Sequence, residues 1–486
     1  MNSKTIIVQT DRYCYPKQAP FRPDEAYPEN PFPLAGVYAE NHIYAMVREG
    51  FVLAQYDHEH TGTEEWNPLG GLIHPGNTVL IKPNLVMDYN PSGGGTDCLY
   101  TQAAVVAAVC DYVIIALKKQ GRIIIGDAPM QECDFPKLTR ESGYEALVSF
   151  LNESLPETIH VELADLRGVR STNKSGIYEY YETDTKSVTI DLGDESEFSG
   201  MTGEKLRKMR ITNYDPEILQ RHHNETRHEY CISASALEAD VIINMPKPKT
   251  HRKAGATSAL KNLVGINARK EYLPHHTNGS IAGGGDEYYY RSLIKSVKNF
   301  ALDKKNHYNQ GKGSRAQAVP YQFLNKTTDV LLRFINRDHC YEGNWYGNDT
   351  ISRTIVDLNK ILFFADKKGQ LQAEQQRRSL IVADMVISGE GEGPVSPTPK
   401  KVGWIAMGES PVAFDEMIMT LMGAKTEMIP TLRRAKNQHG KYAIPAFEGE
   451  LAIVSNGALN GKKLDELTAE MLLHFEPTSG WRKAYR

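Results

Sequence analysis

Four short apolar runs constrain the fold of this chain more than any other feature. Each has the length of a strand, and each runs into a charged, prolyl or glycyl segment. They are NTVLIKPN (77–84), RIIIGDAP (122–129), DVIINMP (240–246) and SLIVADMVI (379–387). Continuous apolar runs of this length, bounded by turn residues, read as strands buried on both faces, as in a parallel sheet. Residues 102–119, with the apolar stretch AAVVAAVCDYVIIAL, form an expected helix between the first two runs. Strand, helix and strand in that order make a βαβ unit and hence a right-handed parallel pair. The expected fold is therefore α/β, a mostly parallel sheet with helices on both faces.

The alternating, tyrosine-rich stretch SGIYEYYETDTKSVTIDLG breaks this pattern. It marks a β-rich insertion at 170–230 in a discontinuous main α/β domain, 1–169 and 231–486. Residues 15–33 hold too many prolines for a regular element and read as a covering arm. Further helices are expected at 41–56, 292–300, 321–336, 351–364 and 410–422. QGKGSRAQ (310–317) is expected to be a flexible connection, and ELAIVS (450–455) a last strand.

With 41% hydrophobic and 24% charged residues the composition is that of an ordinary globular protein, and no apolar run approaches a membrane span. The N-terminus turns polar too early for a signal peptide, so a cytoplasmic location with no membrane partner is expected. A net charge of -4 argues against a general nucleic-acid binder. The six cysteines show no C-x-x-C spacing, so an iron–sulfur cluster or structural zinc is not expected.

Chemistry concentrates in ADVIINMPKPKTHRKAGATSALKNLVG, 239–265. A buried strand here empties into Lys247, Lys249, His251, Arg252, Lys253 and Lys261, and ligands of open α/β sheets sit at strand ends. Pro246 and Pro248 hold the lysines in extended geometry. Thr257 or Ser258 is placed to cap a short helix, whose first-turn N–H groups would add positive character. Lys82 and Asn84 in VLIKPN repeat the motif of a strand followed by a lysine and an amide. A lysine there needs a ligand or a carboxylate partner. Lys82, Asn84, Lys247, Lys249, Thr257 and Asn262 are thus expected to hold an anionic ligand or cofactor. His251 and Lys261 are expected to be catalytic, since a histidine moves a proton near pH 7 without an unusual pKa and a desolvated lysine can become a nucleophile or base there.

Asp127 in IGDAP, with Asp384 and Glu392 in VADMVISGEGEGP, would supply carboxylates at strand ends. These three are the candidate ligands for a divalent metal, with Asp384 or Glu392 the alternative opposing base. Their ordinary role would be pairing with the lysines. His275 and His276 lie close enough in sequence to join the site. RHHNETRH and YDHEH are weaker metal candidates, and NWYGND offers aromatic rings for stacking.

NTVLIKPN, GRIIIGDAP, DVIINMPKPKTH, TSALKNLVG and ADMVISGEGEGP followed by SPVAFDEMIMTLMG resemble the uncharacterised family known as domain of unknown function 362. The cluster PKPKTH with ALKNLVG is the specific part. Some members carry ferredoxin-like cysteine motifs, which this sequence lacks. His251, Ala254, Gly255, Thr257, Lys261 and Gly265 are also spaced like a motif of nickel-pincer-nucleotide lactate racemases. In those enzymes the histidine is catalytic and the lysine anchors the cofactor covalently. Here Ser258 and Ala259 replace paired glycines, and Lys82, Pro83 and Asn84 replace an acidic and arginine motif. The resemblance therefore implies the location of a site and argues little for the nickel-pincer nucleotide itself.

These readings converge on an enzyme binding a small phosphorylated or carboxylated molecule, with proton-transfer or group-transfer chemistry. The alternative is a non-catalytic binding or redox-accessory protein that carries an anionic cofactor.

Overall fold

The four apolar runs are neighbours in one sheet of the computed structural model, which describes residues 2–174, 177–310, 315–335, 340–445 and 447–485. Its strands are β1 (Asn2–Gln9), β2 (Thr78–Pro83), β3 (Gly121–Asp127), β4 (Ile159–Asp165), β5 (Val241–Met245), β6 (Lys249–His251), β7 (Gly255–Thr257), β8 (Arg378–Glu392), β9 (Ser396–Gly408) and β10 (Glu448–Ser455). They are ordered β10-β1-β9-β8-β5-β2-β3-β4, while the short β6 pairs with both β8 and β7. β8, β5, β2, β3 and β4 run parallel to one another, as do β1 and β10. β9 is antiparallel to both of its neighbours. The α/β, mostly parallel architecture expected from the sequence is present.

Period-two alternation sends the strand side chains to two separate cores. Val79, Ile81, Ile123, Ile125, Val241 and Ile243 enter one; Leu80, Ile124 and Ile242 enter the other. The longer helices are α1 (His42–Leu53), α2 (Ala103–Leu117), α3 (Leu293–Gln310), α4 (Arg315–Ile335), α5 (Thr350–Phe364) and α6 (Pro411–Leu421). α1 and α2 cover the first core, and α5 and α6 the second. α2 is buried along nearly its whole length, which is why it reads as apolar all round. The proline-rich arm packs on α2 and reaches β8 through Tyr15, whose hydroxyl donates to Asp384 and accepts from Ile387 N. Its Arg22 pairs with buried Asp111 of α2 at 3.2 Å.

Two expectations change in detail. SGEGEGP is not a strand-end loop, because β8 continues through Glu392 and turns back as β9 in one long hairpin. The insertion boundaries cut through strands: Val169–Lys174 pairs with Ile177–Glu182, and Ser187–Asp191 with Arg227–Ser233. Residues 311–314 of the expected flexible connection lie outside the described residues.

Candidate functional site

At the carboxyl ends of β2, β3 and β5 lies a cavity of about 210 Å³. Asn84 follows β2, Asp127 ends β3, and the β6–β7 hairpin supplies His251, Arg252, Lys253 and Thr257. Lys261, Asn262 and Gly265 come from the short helix Ala259–Asn262 and the turn after it, and Lys270 and His275 from the following loop. Tyr178, Tyr180 and Tyr214 of the insertion line it too, with Tyr180 and Tyr214 rings 5.6 Å apart.

Six of the expected site residues meet at this cavity: Asn84, Asp127, His251, Thr257, Lys261 and Asn262. Lys82, Lys247, Lys249, Asp384 and Glu392 are not among its lining residues. Lys82 pairs with Asp127 at 2.6 Å and donates to the Pro83 carbonyl at 2.9 Å. Lys247 pairs with Asp384 at 3.0 Å and donates to the Tyr15 hydroxyl at 2.7 Å, which donates in turn to Asp384. Lys249 donates to Asn84 Oδ1 at 2.6 Å and to the Leu99 carbonyl. These three buried lysines support the strand ends from behind. Glu392 is exposed where β8 turns into β9.

Lys261 stands differently. Its ammonium has no hydrogen bond or ion pair among the described residues, yet it lines the cavity. Burial, reinforced by Lys270 and Lys82, pulls its pKa down to about 7. Lys253 and Lys270 are lowered to about 8, again mainly by burial. Lys253 donates to the Glu342 carbonyl at 2.6 Å, and Lys270 to the Ala128 carbonyl at 2.9 Å. With Arg252 they give the cavity four cationic side chains against the carboxylates Asp127, already paired, and Glu132.

The two lining histidines are held in opposite tautomers. His251 Nδ1 accepts from the backbone N–H of both Lys253 and Ala254 at 3.1 Å, because the hairpin turn folds around its own imidazole. A nitrogen that accepts two N–H groups carries no proton, so the proton of the neutral ring sits on Nε2. His275 Nδ1 lies 2.6 Å from the Leu273 carbonyl. It must donate there, leaving a lone pair on Nε2. Burial holds both well below the ordinary histidine range, helped by Lys261 and Arg252 at His251 and by Lys253 and Lys261 at His275. The expected proton exchange at His251 would need a proton on Nδ1, so His251 is arranged as a hydrogen-bond donor and His275 as the acceptor.

The expected contribution of the helix N-terminus is also changed. Ser258 makes no cap; instead Asp415 of α6 accepts from Ala259 N at 2.7 Å and Leu260 N at 3.0 Å. Those N–H groups are spent on a carboxylate and not on a ligand. The loop at Gly93–Thr96 packs on the β9 side, where Asn90 Nδ2 donates to Gly95 and Pro397 carbonyls. Trp345 of NWYGND is buried and donates to the Asp286 carbonyl. His223 and His228 pack with Phe198, while His60 is exposed against Asp57.

Metal binding at Asp127 or Asp384 would displace a lysine from 2.6 or 3.0 Å, and Glu392 does not join them. His275, with its Nε2 lone pair, and the Glu132 carboxylate are lining groups that could ligate a metal. Among the described residues, Asp215, Glu217 and His307 place one ligand atom each within 4.8 Å of one another, outside the cavity lining. Sequence reading missed Lys270, the tyrosine wall and Asp415. Only the tyrosines carried a signal, in the alternation of IYEYY.

A family model described as a domain of unknown function, DUF362, matches residues 79–168 and 166–420. The chain belongs to DUF362. The matched stretch includes every cavity-lining residue of the β2, β3 and β5 strand ends. This DUF362 chain is 27% identical over 239 residues to a thylakoid-associated protein of Synechocystis sp., across 49% of this chain and 53% of that protein. It thus matches about half the length of that relative. A crystal structure of a Thermotoga maritima protein is similar at a TM-score of 0.25 and 9% identity, covering 74% of this chain and 54% of that one. None of these matches shows the racemase similarity.

Proposed function

We propose that this DUF362 protein is an enzyme that binds a small phosphorylated or carboxylated molecule in the cavity and moves a proton on it. The observation that carries this reading is Lys261, a half-buried amine without a hydrogen-bond or ion-pair partner among the described residues, which lines the cavity with Arg252, Lys253 and Lys270. A cation held in a low-dielectric cavity gains far more from an anion than a solvated one does. Lys261, Lys270 and Arg252 would hold the anionic group, and Asn84, Thr257 and Asn262 would orient the ligand. His251 Nε2–H would donate to an oxygen on which negative charge develops. His275 Nε2, or neutral Lys261, would accept the proton. Lys82, Lys247 and Lys249 are positioning residues in this reading, and Asp384 supports Lys247.

Calorimetric titration with inorganic phosphate, phosphate monoesters and short carboxylates near pH 6.5 tests it. Lys261→Ala should weaken the best ligand by about tenfold or more, the scale of a charge-assisted hydrogen bond. Its melting temperature should hold or rise, because a half-buried, unpaired amine is removed. Unchanged affinity in a folded variant would refute the assignment.

A further inference from the structure

Beyond the apolar residues it buries, Ala301, Leu302, Ala318 and Leu332, the helical pair α3 and α4 carries large apolar side chains outward. The helices are antiparallel neighbours: Lys298 of α3 meets Asn325 and Asp329 of α4, and Tyr308 stacks on Tyr321. Polar groups tie them to the body, through Arg210 to Asp303 at 2.9 Å and Asn306 Nδ2 to the Thr212 carbonyl at 2.8 Å. On the outer side, Leu293, Val297 and Phe300 recur at helical spacing on α3. Val319, Phe323, Val330 and Phe334 do so on α4. Leu293 is 87% exposed, Phe323 73% and Phe334 84%. Single exposed apolar residues are ordinary, but two aligned stripes on adjacent helices are not.

Charge identifies what covers this face. The described residues of α3 and α4 include two acids, Asp303 and Asp329, and both are paired, with Arg210 and Lys298. The exposed charges are cationic: Lys304, Lys326 and Arg333, with Arg291 just before α3. A two-fold contact with a second copy would set like charges together around the patch. An apolar stripe flanked by exposed cations is the composition of helices that lie in the surface of an anionic bilayer. We infer that the outer face of α3 and α4 is a docking surface for an anionic lipid membrane. This is contact with one leaflet: no described helix is long and apolar enough to cross a membrane. It departs from the expectation of no membrane partner.

Co-sedimentation of the full chain with vesicles of phosphatidylcholine and phosphatidylglycerol, in about a two-to-one ratio, tests the inference against pure phosphatidylcholine vesicles. Binding should favour the anionic vesicles and weaken as salt rises. The double variant Phe323→Glu/Phe334→Glu should bind at least about tenfold more weakly, and Lys326→Glu/Arg333→Glu should lose the preference for anionic lipid. These positions are exposed, and circular dichroism with thermal melting verifies that the variants fold. Absence of vesicle binding by the parent chain would overturn the inference. So would a concentration-dependent dimer, seen by light scattering and abolished by Phe323→Glu/Phe334→Glu, which would give the face to a second copy.

Discussion

His251 and His275 line one cavity in opposite tautomers, the first with its proton on Nε2 and the second with a lone pair there. In the proposed reaction the first would polarise an oxygen of the ligand while the second would take a proton.

The tautomers are directly measurable. Long-range ¹H–¹⁵N spectra of imidazole-labelled protein should show His251 protonated at Nε2 and His275 at Nδ1, with neither ring titrating between about pH 6 and 8. Imidazolium shifts for His251 in that window would contradict the donor assignment.

Stability and ligand affinity should depend on pH in opposite senses. Lys249 and Lys261 lie at about 7, and Lys253 and Lys270 at about 8, against an ordinary 10.5. Between these values and 10.5 the unfolded chain binds more protons than the folded one, so stability rises with pH across that window and levels off at its lowest below about 7, where both states are protonated. Each lysine contributes up to about 1.4 kcal/mol per pH unit. An anionic ligand prefers the ammonium of Lys261, so its affinity should fall as pH rises through about 7. Urea denaturation across pH 6 to 9 checks the first trend, and Lys261→Met should flatten its slope. Calorimetry over the same range checks the second.

Gly265 touches the pair beneath the cavity. A Cβ there would lie 2.0 Å from Asp127 Oδ1 and 2.8 Å from Lys82 Nζ. Asp127 cannot swing away freely, since its Oδ2 accepts from Leu85 N at 2.7 Å. Gly265→Ala should therefore cost about 3 kcal/mol, the scale for breaking a buried ion pair. A loss below about 0.5 kcal/mol in urea denaturation would show that the pair yields at little cost.

The sheet was legible because its strands are apolar on both faces and bounded by proline, glycine and charge. The cationic cluster was legible because PKPKTHRK follows such a strand. Which lysines face the cavity was not, since that depends on partners distant in sequence. Asp127 takes Lys82, Asp384 takes Lys247, and the amide of Asn84 with the Leu99 carbonyl takes Lys249. The tautomer of His251 was equally hidden, being set by two backbone N–H groups of a turn whose geometry no side chain announces. Lys270 and His275 reach the cavity from a loop with no periodic pattern.

The β6–β7 hairpin is held from the far end of the chain. Trp481 Nε1 donates to the Arg252 carbonyl at 2.7 Å, across 229 residues, and the Tyr485 hydroxyl donates to the Gly255 carbonyl at 3.1 Å, across 230. Gly255 sits at φ 84° with the Trp481 ring where a Cβ would be. Contacts so remote in sequence close late, because long loops must be ordered first. During synthesis the lysines, histidines and tyrosines all emerge well before the clamp that sets their spacing. A nascent chain would carry the charges of the cavity before it has the cavity's shape.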